Sequence, residues 1–92
     1  MAILVDQLRE YPDAGLPHTI WCHMATDTGF DELHAFAARL GLRRRWFHRD
    51  HYDLPAHGRT AAVGLGAQEV TTAELLGRMA GPRGDRVRRR RG

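Results

Sequence analysis

Ninety-two residues, 42% of them hydrophobic and 27% charged, fit one small globular domain with a thin core. No apolar run nears the roughly 18 residues of a membrane span, and Met1-Ala2-Ile3-Leu4-Val5-Asp6 lacks a basic signal-peptide start; a cytoplasmic location and no membrane partner are expected. The formal net charge of +3 is unevenly divided: residues 81–92 hold six arginines and one acid, residues 1–80 eight arginines and ten acids, which excludes a broadly basic domain.

The run Ile3-Leu4-Val5, ended by Asp6, predicts a short buried strand, and Tyr11-Pro12-Asp13-Ala14-Gly15 a loop. Residues 18–24 alternate Ile20, Cys22 and Met24 against Thr19, Trp21 and His23, the pattern of a second strand. Cys22 is the only cysteine, so no intrachain disulfide forms; in this apolar stretch it reads as a small buried hydrophobe. A first helix is expected over 29–40: Phe30, Leu33, Phe36, Ala37 and Leu40 make one apolar stripe, Thr28 with Asp31 resembles a capping box, and Gly41 ends it.

Residues 44–48 predict a third strand, with Trp46 on one face and Phe47 on the other. Asp53 and Pro55 open a second helix to about residue 66, and Gln68-Glu69-Val70 suggests a fourth strand. Thr71 with Glu74 is a capping box for a third helix that buries Leu75, Leu76 and Met79. The expected fold is thus a single α/β domain over 1–80: a mainly parallel sheet of about four short strands, three helices and Rossmann-like topology. Residues 81–92, with Val87 their only apolar side chain after Gly81-Pro82, are expected to be a disordered arginine-rich tail. No G-x-G-x-x-G or phosphate loop is present.

Open α/β sheets hold ligands beyond the carboxyl ends of their strands. Asp6, His23 and His51-Tyr52-Asp53 fall at those ends. His51 and Asp53, two apart, share a face in extended backbone, and a carboxylate beside an imidazole orients it as a general base or a metal ligand. His34 lies at the edge of the first helix's stripe, within reach of His23 if that helix packs back on the sheet. The catalytic candidates are therefore His51, Asp53, His23 and His34. Arg59, Asp6, Asp27 and Tyr52 are substrate-binding candidates, Arg59 being suited to a phosphate. A divalent metal is compatible with these groups, but the spacing matches no compact zinc pattern. His18, His48 and His57 look incidental, and Arg43-Arg44-Arg45-Trp46-Phe47 reads as a solvated helix end followed by core aromatics before it reads as a nucleic-acid surface.

Val5-Asp6, Trp21, His23-Met24, Asp27, Glu32-Leu33-His34-Ala35-Phe36-Ala37, Gly41-Leu42, Trp46-Phe47, His51-Tyr52-Asp53-Leu54 and Gly66-Ala67 together resemble the family catalogued as domain of unknown function 4031. The resemblance spans roughly residues 2–76 and implies a small bacterial or phage protein, with Asp6, His23, Asp27, His34, His51 and Asp53 in its pattern. It implies no activity. Three readings follow from the residues: an enzyme of phosphoester or nucleotide chemistry, a module that binds a small phosphate-containing ligand or nucleic acid, and a homodimeric interaction protein.

Overall fold

The computed structural model describes residues 2–11 and 19–91. The loop expected at 11–15 lies, from residue 12 onward, outside the described residues, as does His18. Strand β1 (Ile3–Val5) is buried on both faces, as its unbroken apolar run requires. Only residues 6–8 separate it from β2 (Arg9–Glu10), and both pair antiparallel with β3 (Ile20–Thr26). On the other edge of β3, β4 (Tyr52–Leu54) also runs antiparallel, so Met24 stands between Val5 and Tyr52. β5 (Gln68–Glu69) pairs with β1, the one parallel pairing among the described residues of the five-stranded sheet.

The sheet is therefore mixed, not mainly parallel, and its order does not supply the parallel succession on which a Rossmann-like label rests. The reason is local. The link from β1 to β3 contains no crossover helix among its described residues, and parallel neighbours need a long crossover, usually helical. The third strand is also displaced. Residues 44–46 form a 3₁₀ turn with Trp46 half exposed; with Trp46 and Phe47 apolar on opposite faces, the segment has no polar-apolar alternation to hold it on a sheet edge. Tyr52-Asp53-Leu54 does alternate, buried-exposed-buried, and takes the sheet edge.

Helices α1 (Phe30–Arg39) and α2 (Ala56–Gly64) cover one face of the sheet, where Val5, Cys22, Met24, Tyr52 and Leu54 meet Leu33, Ala37 and Ala62. Helix α3 (Thr72–Arg78) covers the other, with Leu4, Ala25, Leu75 and Met79 between them. Thr71 caps α3 by accepting from the Glu74 N–H at 3.0 Å, as its spacing predicts. The capping box at Thr28 does not form: Gly29 is the N-cap of α1, and the Thr28 hydroxyl donates to the Glu32 carboxylate instead. Residues expected to be a disordered tail form helix α4 (Pro82–Arg91). It is held despite its low apolar content because Gly84 lets its backbone sit against Met79 and because Arg83 and Arg88 reach the preceding elements.

Candidate metal centre

The α3 face of the sheet changes character along its length. Leu4 and Ala25 are apolar and meet α3. Further along, the positions that strand periodicity places on the same face are Asp6, His23, Asp53 and His51. Hydrophobic cover thus gives way to a patch of ionisable groups, two of them buried.

Asp6 owes its position to a register slip. Val5 faces Met24 but Arg9 faces Trp21, so four steps on the first strand oppose three on β3, a bulge. There the His23 N–H donates to Asp6 Oδ1 at 2.6 Å instead of to a carbonyl, and the displaced Asp6 carbonyl accepts from Arg59 Nε at 2.7 Å. Asp6 Oδ2 accepts from the Thr72 hydroxyl at 2.8 Å and lies 2.9 Å from His23 Nδ1. A carboxylate only accepts, so Nδ1 carries the proton and Nε2 is the free ligand atom. Burial would raise the Asp6 carboxyl, but these hydrogen bonds outweigh it and hold it below the ordinary aspartate value.

His51 is placed by a tight turn. His48 and His51 bridge, with Arg49 in the left-handed region at φ 62°. The turn folds Asp50 beneath the ring, Oδ1 lying 2.8 Å from His51 Nδ1. Asp50 is itself clamped by Arg83 through two contacts, Nη2 to Oδ1 at 2.7 Å and Nε to Oδ2 at 3.2 Å. On its other side, His51 Nε2 lies 3.2 Å from Asp53 Oδ1. Arg83 Nη2 is also 3.2 Å from His51 Nδ1, but the Asp50 carboxylate at 2.8 Å can only accept, which puts the proton on this nitrogen. A neutral ring then turns a lone pair toward Asp53. Only a second proton or a cation satisfies that geometry. Burial lowers the basicity of His51, yet its bonds to Asp53 and Asp50 raise it more, and the net shift is upward. The Asp53 carboxyl is held low, chiefly by His51.

The rings of His23 and His51 meet edge to face with centroids 5.1 Å apart. One ligand atom from each of His23, His51 and Asp53 lies within 4.8 Å of the others. A bound ion needs donors roughly 3–3.5 Å apart. His51 and Asp53 already meet that spacing at 3.2 Å, and the three groups together would have to draw in from their 4.8 Å spread.

Of the groups expected at the site, the structure brings together Asp6, His23, His51 and Asp53, with Arg59 behind Asp6. They do not all lie at strand ends: His23 is mid-strand in β3, which runs opposite to β1. His34 is elsewhere. Its Nδ1 lies 2.8 Å from the Tyr52 hydroxyl and its ring packs on Phe47, on the α1 side of the sheet. Tyr52 is there because its parity is opposite to that of His51 and Asp53. Asp27 sits at the far end of β1, accepting from the Ala2 N–H and from Arg78. Arg59 is committed to the Asp6 carbonyl and Glu69. Asp50, Thr72 and Arg83 were missed. Asp50 neighbours His51, and strand periodicity assigns neighbours to opposite faces; a turn was needed to bring them together. Thr72 and Arg83 act across long sequence separations that no spacing encodes.

A family model described as Protein of unknown function (DUF4031) matches residues 3–81, which takes in every site group except Arg83. No curated protein and no solved structure matches the chain. Among the described residues, no helix is long and apolar enough to cross a membrane. With the match covering most of its length, the chain belongs to the DUF4031 family.

Proposed function

We propose that His23, His51 and Asp53 bind one divalent metal ion that activates water for phosphoester hydrolysis. The observation that carries the reading is His51 held between carboxylates on both ring nitrogens, one of them beside a second imidazole. Asp6 and Asp50 orient the two imidazoles as outer carboxylates commonly orient metal-binding histidines. Charge supports the reading too. Asp6, Asp50 and Asp53 bring three negative charges, Arg83 answers one, and a divalent cation would balance the other two.

Two histidines and one carboxylate suit hydrolytic zinc and also oxygen-activating iron(II). Arg59 and Arg83 are already paired, but the exposed arginines further along α4, Arg86, Arg89 and Arg90, favour an anionic substrate, for which we take hydrolysis as the chemistry. A bound ion lowers the pKa of its water. Held by His23, His51 and Asp53, such an ion would supply an acidified water; attack on phosphorus would break the leaving group's phosphorus–oxygen bond, and the proton given up by the water would balance the one taken up by the leaving oxygen.

Calorimetric titration of metal-free protein with Zn²⁺ and Mn²⁺ tests the centre. One saturating site is expected. His51→Ala and Asp53→Asn should each weaken it by about 100-fold or more, at or beyond the upper end for outer-shell groups. The absence of saturable binding in the wild type would sink the proposal. Hydrolysis of bis(p-nitrophenyl) phosphate by the metal-loaded protein tests the reaction separately; uptake without hydrolysis would keep the centre and remove the chemistry.

A further inference from the structure

We infer that α4 and the Trp46 turn form a binding surface for single-stranded nucleic acid, which makes a phosphodiester strand the substrate class of the centre; this last step rests on the metal reading above. The surface begins at the site. Arg83, at the start of α4, grips Asp50, and Asp50 holds His51. At 100° per residue, Arg86 and Arg90 continue the Arg83 stripe and Arg89 borders it. From Arg83 to Arg90 the helix rises about 10 Å, a length along which a strand's backbone can lie.

The helix separates anchoring from exposed arginines. Arg83 is spent on Asp50, and Arg88 on Asp85 and the carbonyls of Gly77 and Met79. Arg86, Arg89 and Arg90 are exposed and meet no carboxylate among the described residues. Unneutralised guanidiniums on a docked helix suit phosphate, which they can grip as a fork. A lipid surface fits less well, because Val87 is the only large apolar side chain on α4 and the helix has no apolar face to insert.

A stacking platform borders the same end. Phe30 lies against Gly81 just before α4 and packs edge-on with Phe47. The next residue back, Trp46, is 50% exposed, with the Arg43 guanidinium 5.9 Å from its ring centre. Arg44 and Arg45 are exposed beside it. An open indole among arginines offers bases a face to stack on, which a paired duplex does not need and a single strand does.

The test is fluorescence anisotropy of a labelled single-stranded oligonucleotide against the full chain without metal, over a range of salt. Wild type should bind with affinity that falls steeply as salt rises. The Arg86→Gln/Arg89→Gln/Arg90→Gln variant should lose roughly 10-fold or more, and its log K against log salt slope should shrink by about 2, from three lost contacts at about 0.7 each. Trp46→Ala should weaken binding several-fold with the slope unchanged. Circular dichroism and the Zn²⁺ titration check that the triple variant is folded and its centre intact. The inference is overturned if wild type does not bind at 50 mM salt, if the triple variant keeps wild-type affinity and slope, or if polyglutamate competes as well as the oligonucleotide, which would make an acidic protein the partner. If wild type takes up no metal while oligonucleotide binding still depends on α4, the centre fails and the surface stands.

Discussion

His23 and His51 resemble each other in one respect that His34 lacks: each presents Nδ1 to a buried carboxylate. His34 has a phenol instead, and burial chiefly pushes its pKa down. The lone Cys22 is fully buried, and burial pushes its thiol up to about 12, so it packs and does not react. Asp27 is structural as well. Burial would raise its carboxyl, but the Ala2 N–H and Arg78 hold it below the ordinary value of 3.8. A carboxyl lowered by folding stabilises above its unfolded pKa and ceases to do so as pH falls through the folded one. Asp27→Asn should therefore be less stable than wild type near neutrality, with the gap closing below about pH 4. Denaturant midpoints from pH 7 to 2.5 would show this; a constant gap would mean that only packing is lost.

At the scale of elements, two irregularities build the centre. The β1–β2 bulge frees the Asp6 carbonyl for Arg59 and turns its carboxylate to His23. The Arg49-Asp50 turn brings Asp50 under His51. Helix α4 then locks Asp50 from outside, and its seat depends on Gly84. A Cβ there would overlap the Met79 carbonyl oxygen. Alanine improves helix propensity by about 1 kcal/mol over glycine, so an unhindered Gly84→Ala would stabilise α4. The overlap involves backbone and cannot be relieved by a rotamer. Gly84→Ala should instead displace α4, lower the melting temperature and loosen the Arg83–Asp50 clamp. Hydrogen exchange over residues 82–91 would report it, and slower exchange than wild type would refute the seating argument.

The whole molecule is a sheet between two unequal layers. The α1/α2 layer covers the larger core, whereas α3 covers only part of its face; there His51 is buried but His23 and Asp53 stay partly exposed, at 28% and 42% of their side chains. Leu4 is the fully buried β1 contribution to the smaller core and lies one residue from Val5 in the larger one. In so thin a domain, Leu4→Ala should cost about 2–5 kcal/mol, a large share of total stability. Chemical denaturation would measure it, and a loss below about 1 kcal/mol would show that the two layers collapse independently onto the gap.

Periodicity and capping are local, and they were legible: the buried run Ile3-Leu4-Val5, the apolar stripe of α1, the Thr71 cap of α3 and the shared face of His51 and Asp53 all follow from neighbouring residues. The same local rules marked Asp6 and His23 as polar groups on otherwise buried strands. Strand direction is different, because it depends on how a connection returns, and two strands joined without a crossover helix became antiparallel. The order of residues 82–91 was hidden for a similar reason: composition measures apolar content, whereas α4 is held by a glycine contact and by arginines reaching distant carboxylates and carbonyls. The separation of His34 from His23 and the clamping of His51 by Asp50 and Arg83 also belong to the tertiary structure alone. They depend on which face of the sheet each helix covers and on a turn that reverses local alternation, and neither is written in the spacing of residues along the chain.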